Sequence, residues 1–310
     1  MKILITDSKH MSLVNKRILE KVGTPLYVNP YQKNFKKYLK IADVIFVRLN
    51  FQLNRENLKY AQKLKIVISP TTGLNHIDLK LLKQRKITLI SLKDFKSQIK
   101  NITSTSEFHW GLILSTLRKI NEATNHTKNN KWNRNFFLGN QLLNKTIGII
   151  GLGRIGKQIS KYALVFRMKV LFYDKKKNIK HDKRIKKVSL NYLLKKSDII
   201  SINASSSDGQ KKILDKKKLN IINNKAILVN TARDNLIDNF HLIDLLKRKK
   251  IKYAALDVIP NETNKGKFKF LKIVKKLKNL IITPHIGGLT IESIHQAENL
   301  VLKKFIKKIL

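Results

Sequence analysis

The 310-residue chain contains no cysteine. Disulfides and thiolate-held metals are therefore excluded, and a reducing compartment is compatible with the composition. Proline is scarce at five residues, and aromatic side chains make up only 7%. Few platforms are thus available for stacking nucleic-acid bases. No apolar run approaches the roughly 18 residues of a membrane span, and the opening Met1–His10 stretch is too short for the apolar segment of a secretion signal. The expected setting is cytoplasmic, with no membrane partner. Acidic residues are also few: 20 Asp and Glu stand against 65 Lys and Arg, a net charge of +45. Only 11 of those cations are arginines, the planar fork that reads phosphates and base edges, and 54 are lysines. Spread evenly, the net charges would lie roughly 17 Å apart on a protein of this size, beyond the screening length of about 8 Å. The surplus reads as a Lys-rich background, and no nucleic-acid partner is expected.

With 42% hydrophobic and 27% charged residues, the chain has the make-up of a globular protein long enough for two domains. Short β-type runs alternate with amphipathic stretches through the first 97 residues, at Lys2–Thr6, Asp43–Val47, Lys65–Ser69 and Ile87–Ile90. That is the rhythm of a parallel sheet with crossover helices. A long helical pattern starts near Asn101, a polar stretch covers Asn125–Trp132, and a second alternating series opens at Lys145. Its strand-like runs are Thr146–Ile150, Val170–Tyr173, Asp198–Ile202, Ala226–Asn230, Ala254–Val258 and Leu280–Thr283. The fold class is therefore α/β, with two Rossmann-like doubly wound parallel-sheet domains. The final helical segment, Ile291–Leu310, has no strand after it and is expected to fold back on the first domain.

The sharpest motif is the glycine-rich run Gly151-Leu-Gly153-Arg154-Ile155-Gly156, entered from a strand and left as a helix. Gly151 permits the tight turn, Gly153 lets backbone approach a pyrophosphate, and Gly156 lets helix and strand pack closely. The phosphates then rest on the helix N-terminus opened by Arg154 and Ile155. Asp174 ends the next strand, 18 residues after Gly156. A carboxylate there accepts from the ribose hydroxyls and repels a 2′-phosphate, which favours NAD over NADP. Three later strand ends carry reactive groups: Arg233 after Leu228–Asn230, the acids Asp257 and Glu262 after Ala254–Val258, and His285 after Leu280–Thr283. In a doubly wound sheet these ends converge on the ligand crevice.

The motifs Ser69-Pro-Thr-Thr72-Gly73-Leu-Asn-His-Ile-Asp78, Asn230-Thr-Ala-Arg233, Ala255-Leu-Asp257-Val and Pro284-His285-Ile-Gly-Gly288 come in a recognisable order. Together with the helix containing Glu107 and the Trp132–Gly139 arm, they resemble the D-isomer-specific 2-hydroxyacid dehydrogenases over essentially the whole chain. The resemblance implies a discontinuous substrate-binding domain, residues 1–98 and 285–310, and an NAD-binding domain, residues 99–284. It implies an NAD-dependent oxidoreductase of the phosphoglycerate dehydrogenase kind, interconverting a small 2-keto acid, with or without a phosphate, and its D-2-hydroxy acid. His285 would be the general acid/base, Glu262 would tune it, and Arg233 would hold the substrate. Thr72 and Gly73 would offer N–H groups to the substrate carboxylate, with Arg48 a further anion contact. Ser205, Thr231, Ala232, Asp257 and Gly288 would line the cofactor. No metal is implied, and the family suggests a homodimer through the cofactor domains. The alternative is a non-catalytic scaffold that senses NAD. Three positions depart from the family pattern: Asn203-Ala-Ser205 replaces His-x-Pro, Asp234 replaces the Gly after Arg233, and Thr263 replaces the Pro after Glu262.

Overall fold

Two fully parallel sheets organise the protein, whose computed structural model describes residues 1–206, 211–262 and 264–309. The chain divides into two compact units, Met1–Ile102 with Leu289–Leu310, and Thr103–Gly288. In the first unit the strands are β1 (Lys2–Ile5), β2 (Thr24–Tyr27), β3 (Val44–Phe46), β4 (Ile66–Ser69) and β5 (Thr88–Ser91), ordered β2-β1-β3-β4-β5. In the second they are β6 (Thr146–Ile150), β7 (Lys169–Tyr173), β8 (Ile185–Lys187), β9 (Ile199–Ile202), β10 (Ile227–Asn230), β11 (Tyr253–Leu256) and β12 (Leu280–Ile282). Their order is β12-β11-β10-β9-β6-β7-β8. Chain direction across this sheet reverses between β6 and β9, the switch point at which doubly wound sheets take their ligands.

The expected α/β architecture is the one that forms, and two strands of it go beyond the sequence reading. β2 and β8 are edge strands. β2 has no buried residue and contains Pro25, while β8 buries Ile185 alone. Proline lacks the N–H that an inner strand needs and is tolerated at an edge, so neither segment carries the apolar run of a central strand. The polar stretch expected at Asn125–Trp132 begins inside a helix, Ile120–Lys128, which buries none of its residues. The unit boundaries fall after Ile102 and Gly288, a few residues beyond 98 and 284. Ile99 and Ile102 are buried in the first unit's core, and backbone N–H groups of Ile286 and Gly287 are bonded to Asp257 of the second.

Both faces of each sheet are covered, which is why the inner strands read as continuous apolar runs. Along β1, Ile3 and Ile5 enter one core while Leu4 enters the other. Along β6, Ile147 and Ile149 pack with Ile159 and Ala163 of the Arg154–Val165 helix and with Ile113 of the Ser104–Arg118 helix, whereas Ile150 faces the opposite core.

The Ile291–Ile309 helix belongs to the first unit, where Ala297, Val301, Leu302 and Phe305 pack against Ile3, Ile5, Phe46 and Ile68. One residue on this buried face is charged. Glu298 is fully buried, accepts from Asn15 Nδ2 at 2.9 Å, and pairs with the Arg48 guanidinium at the end of β3. Removing one partner of a buried ion pair strands the other charge in a low-dielectric interior, at about 3–5 kcal/mol. Glu298→Ala is expected to lower the unfolding free energy by that amount in urea titrations. The double variant Arg48→Met/Glu298→Leu should recover much of the loss, because two apolar side chains leave no charge unpaired. A fall of under about 1 kcal/mol in the single variant would show that the pair does not hold the helix.

Candidate active site

The dinucleotide turn is built by three glycines with distinct duties. Gly151 has φ +91°, a conformation that side chains resist, and an added Cβ would lie 2.7 Å from the Ala204 backbone. A Cβ on Gly156 would lie 2.2 Å from the Gly151 carbonyl oxygen, so the Arg154–Val165 helix could not approach β6 as closely. A Cβ on Gly153 would meet nothing within 4 Å, so the space outside the turn is open. Gly153 caps that helix without a side-chain hydrogen bond, so no capping side chain consumes the partial positive charge of its N-terminus. Burial pushes the partly buried Arg154 guanidinium down from its ordinary value. Asp174 is fixed in place: one oxygen accepts from the Leu152 N–H at 2.8 Å and the other from the Lys176 N–H at 2.9 Å. Each carboxylate oxygen keeps acceptor capacity for a ribose hydroxyl. The open turn, the helix N-terminus and the anchored acid fit NAD, with Gly151, Gly153, Arg154, Ile155, Gly156 and Asp174 as the residues that would hold it.

At the far side of the sheet, Asp257 immediately follows β11 and is buried. Its Oδ1 accepts from Thr283 Oγ1 at 2.6 Å and from the Ile286 N–H at 2.9 Å, and its Oδ2 accepts from the Gly287 N–H at 2.8 Å. The carboxylate expected to line the cofactor is thus mainly occupied in fastening the loop after β12. That loop carries His285 at φ +57°, a left-handed conformation uncommon for a residue with a side chain. The His285 Nδ1 lies 2.8 Å from Glu262 Oε1, and both side chains remain partly exposed. Gly288, one residue beyond this bracket, has room for a Cβ 3.6 Å from Thr105 Oγ1.

Arg233 follows β10 on a turn organised by Asn230. The Asn230 Oδ1 accepts from the Ala232 N–H at 2.9 Å and its Nδ2 donates to the Arg233 carbonyl at 2.9 Å, so both amide ends bracket the turn. Arg233 Nη1 donates to the Ala232 carbonyl at 2.6 Å. Burial pushes the guanidinium down from its ordinary value, against the pull of the Glu262 and Asp234 charges, which favour the cation. Burial, and then the Glu262 charge, push the Asp234 carboxyl up. Arg233, Asp234, Glu262 and His285 therefore form one electrostatic group in the second unit. Ser205 is exposed beyond β9, and Thr263 lies outside the described residues.

The remaining expected residues belong to the first unit. The loop after β4 is braced by Ser69 Oγ, 2.9 Å from Thr71 Oγ1 and 3.3 Å from His76 Nε2, and by Thr71 Oγ1 donating to the Gly73 carbonyl at 2.8 Å. Neither the Thr72 nor the Gly73 N–H has a hydrogen-bond partner among the described residues. Arg48, expected as an anion contact, is instead paired with Glu298 inside the same unit. That acid is 250 positions away in sequence, which hid the pairing.

Sequence reasoning passed over a buried polar group behind the Arg233 turn. His109, on the Ser104–Arg118 helix, is fully buried. Its Nδ1 lies 2.8 Å from Thr231 Oγ1 and its Nε2 2.8 Å from Ser201 Oγ, which also accepts from Asn203 Nδ2 at 2.8 Å. The available signal was a histidine on a helix whose other buried residues include Trp110, Leu112, Ile113 and Leu117.

These features define a dinucleotide-dependent oxidoreductase. Residues 110–287 match the family described as D-isomer specific 2-hydroxyacid dehydrogenase, NAD binding domain. The chain is 33% identical over 313 residues to D-3-phosphoglycerate dehydrogenase of Methanocaldococcus jannaschii, covering 100% of this chain but 57% of that protein's length. It is 30% identical to hydroxypyruvate reductase of Thermotoga maritima, covering 96% of this chain and 93% of that one. The crystal structure of D-lactate dehydrogenase from Aquifex aeolicus complexed with NAD and lactic acid superimposes with a TM-score of 0.86 at 25% identity, covering 100% and 96% of the two chains. The chain belongs to the D-isomer specific 2-hydroxyacid dehydrogenases, a family of NAD-dependent oxidoreductases. No helix among the described residues is long and apolar enough to cross a membrane.

Burial lowers the His109 pKa from 6.5 to about 3. Between those values the unfolded chain binds a proton that the folded protein does not, so stability falls as pH drops from 6.5 toward 3. The slope from this residue is at most about 1.4 kcal/mol per pH unit. His109→Asn is expected to flatten that slope in urea unfolding followed from pH 7 to pH 4. Equal slopes in variant and wild type would show that His109 is not buried as the neutral base.

Proposed function

We propose that the protein interconverts a small 2-keto acid and its D-2-hydroxy acid, with His285 as general acid/base, Glu262 orienting it and Arg233 holding the substrate carboxylate. The observation that carries this reading is the 2.8 Å His285–Glu262 contact beside the partly buried Arg233. Bound NADH would supply the hydride that adds to the carbonyl carbon. Glu262 accepts from Nδ1–H, which leaves Nε2 to face the substrate. From Nε2 the proton passes to the carbonyl oxygen as negative charge develops there, leaving His285 neutral; in the oxidative direction the same nitrogen takes the hydroxyl proton. Arg233 offers a planar pair of donors, suited to a carboxylate and to an adjacent carbonyl oxygen. In the first unit, the Thr72 and Gly73 N–H groups have no partner among the described residues and suit a carboxylate. Asp174 supports a preference for NAD, and the family's cofactor-lining positions Ser205, Thr231, Ala232, Asp257 and Gly288 belong to the same proposal. Trp132, Phe136 and Leu138 are strongly exposed in the second unit, which supports pairing of two copies through the cofactor domains. The absence of cysteine suits a cytoplasmic setting.

The reaction is tested by following NADH oxidation with glyoxylate, pyruvate, hydroxypyruvate, 3-phosphohydroxypyruvate and bulkier keto acids. With whichever substrate is turned over, His285→Gln is expected to lower kcat by about 10²- to 10⁴-fold with NADH affinity retained. Unchanged turnover would remove His285 from the chemistry.

Cofactor choice gives a separate check. Asp174→Ala removes charged acceptors for the ribose and is expected to lower the kcat/KM ratio of NADH to NADPH by roughly 10- to 100-fold. A constant ratio would mean that another group reads the ribose.

A further inference from the structure

The Arg233 turn is bracketed from within by Asn230, but those bonds fix its shape and not its placement on the sheet. Placement needs a contact from a neighbouring element, and His109 on the Ser104–Arg118 helix supplies one through Thr231. We propose that His109 is a positioning residue for Arg233: wedged between the Thr231 and Ser201 hydroxyls, its neutral imidazole holds the turn that carries the guanidinium. This inference rests on the reading of Arg233 as the group that binds the substrate carboxylate.

Ser201 Oγ accepts from Asn203 Nδ2 and still has its own hydrogen and a second lone pair, so it can meet His109 Nε2 in either tautomer. His109 Nδ1 meets Thr231 Oγ1 in the complementary role. The path runs from Asn203 through Ser201 and His109 to Thr231. Its first residue lies beside the dinucleotide turn, since the Asn203 carbonyl carbon and the Ala204 backbone are the atoms closest to Gly151's Cβ position. Its last residue is two positions before Arg233. The path therefore couples the ends of β9 and β10 at the switch-point side of the sheet.

Burial makes the coupling stiff. Ser201 and His109 are fully buried and Thr231 nearly so. A buried polar group without its partner loses the full cost of its desolvation, so the imidazole has little freedom to swing away from either hydroxyl. An apolar residue at position 109 could fill the space but would leave both hydroxyls without this partner. The histidine's use here is directional: it specifies where the Thr231 side chain, and with it the following turn, must lie.

Two substitutions separate placement from simple packing. Asparagine puts an amide near the Nδ1 position and can still donate to Thr231; glutamine reaches the Nε2 position and serves Ser201 while abandoning Thr231. In His109→Gln, KM for the keto acid is expected to rise roughly tenfold, the size of one lost buried hydrogen bond, with the NADH Kd within twofold of wild type. Amide exchange at Ala232 and Arg233 should accelerate in that variant. His109→Asn should stay close to wild type in all three readouts. Equal behaviour of the two variants, or unchanged exchange at Ala232 and Arg233 in His109→Gln, would reduce His109 to a packing residue and overturn the proposal. Wild-type protein that turns over none of the keto acids would instead overturn the substrate reading, and the exchange comparison would still decide whether His109 places the turn.

Discussion

The carboxylate of Asp257 is the constraint on which the geometry of the loop carrying His285 depends. It is buried, and three donors from the loop after β12 compensate its charge: the Thr283 hydroxyl and the Ile286 and Gly287 N–H groups. A buried carboxylate of this kind must be satisfied by fixed dipoles. The donors flank His285, and gathering them around one carboxylate forces the intervening residue into a left-handed conformation. That conformation costs a non-glycine residue roughly 1–2 kcal/mol. Hydrogen bonds to a charged group contribute about 1.5–3 kcal/mol each, so three of them readily outweigh the strain. The imidazole consequently arrives at Glu262 already oriented.

A similar division of labour operates at Arg233. The guanidinium is partly withdrawn from water, which disfavours its charge, and Glu262 and Asp234 offset part of that effect. Glu262 is shared, serving both His285 and the electrostatics of Arg233. Asp234 feels the opposite pressure, since burial and the Glu262 charge both disfavour its ionised form. Arg233 and Asp234 thus respond first to burial and then to the charges of their neighbours. The protein's +45 background acts over distances at which salt screens it, and contributes much less to these four side chains.

The parts of the fold and site that could be read from the sequence are those whose causes are local. The glycine spacing of residues 151–156 is legible because each glycine answers a backbone demand within the same turn. Asp174 is legible because strand β7 carries it to a fixed distance from that turn. The inner strands announce themselves through apolar runs covered on both faces. β2 and β8 do not, because an edge strand is half solvated and its pairing depends on a neighbour elsewhere in the chain. The chemical character of Arg233, Glu262 and His285 could be stated from residue type and strand-end position, but not the 2.8 Å contact that joins two of them.

What escaped the sequence reading is the assignment of partners to buried polar groups. Arg48 illustrates the difficulty. At a strand end it has the fork and charge of an anion ligand, and nothing nearby in sequence contradicts that role. The structure gives its charge to Glu298, on a helix that the chain supplies only at its far end. A charged residue in a sequence announces a requirement for compensation, and the fold decides whether a substrate or another side chain meets it. His109 is the same case with the opposite outcome: a residue that looks like a misplaced polar group on an apolar helix is satisfied by the hydroxyl of Ser201 in β9 and that of Thr231 just after β10. Both were obscured by sequence distance, because a hydrogen bond between elements is set by sheet order and crossover geometry, which local spacing does not encode.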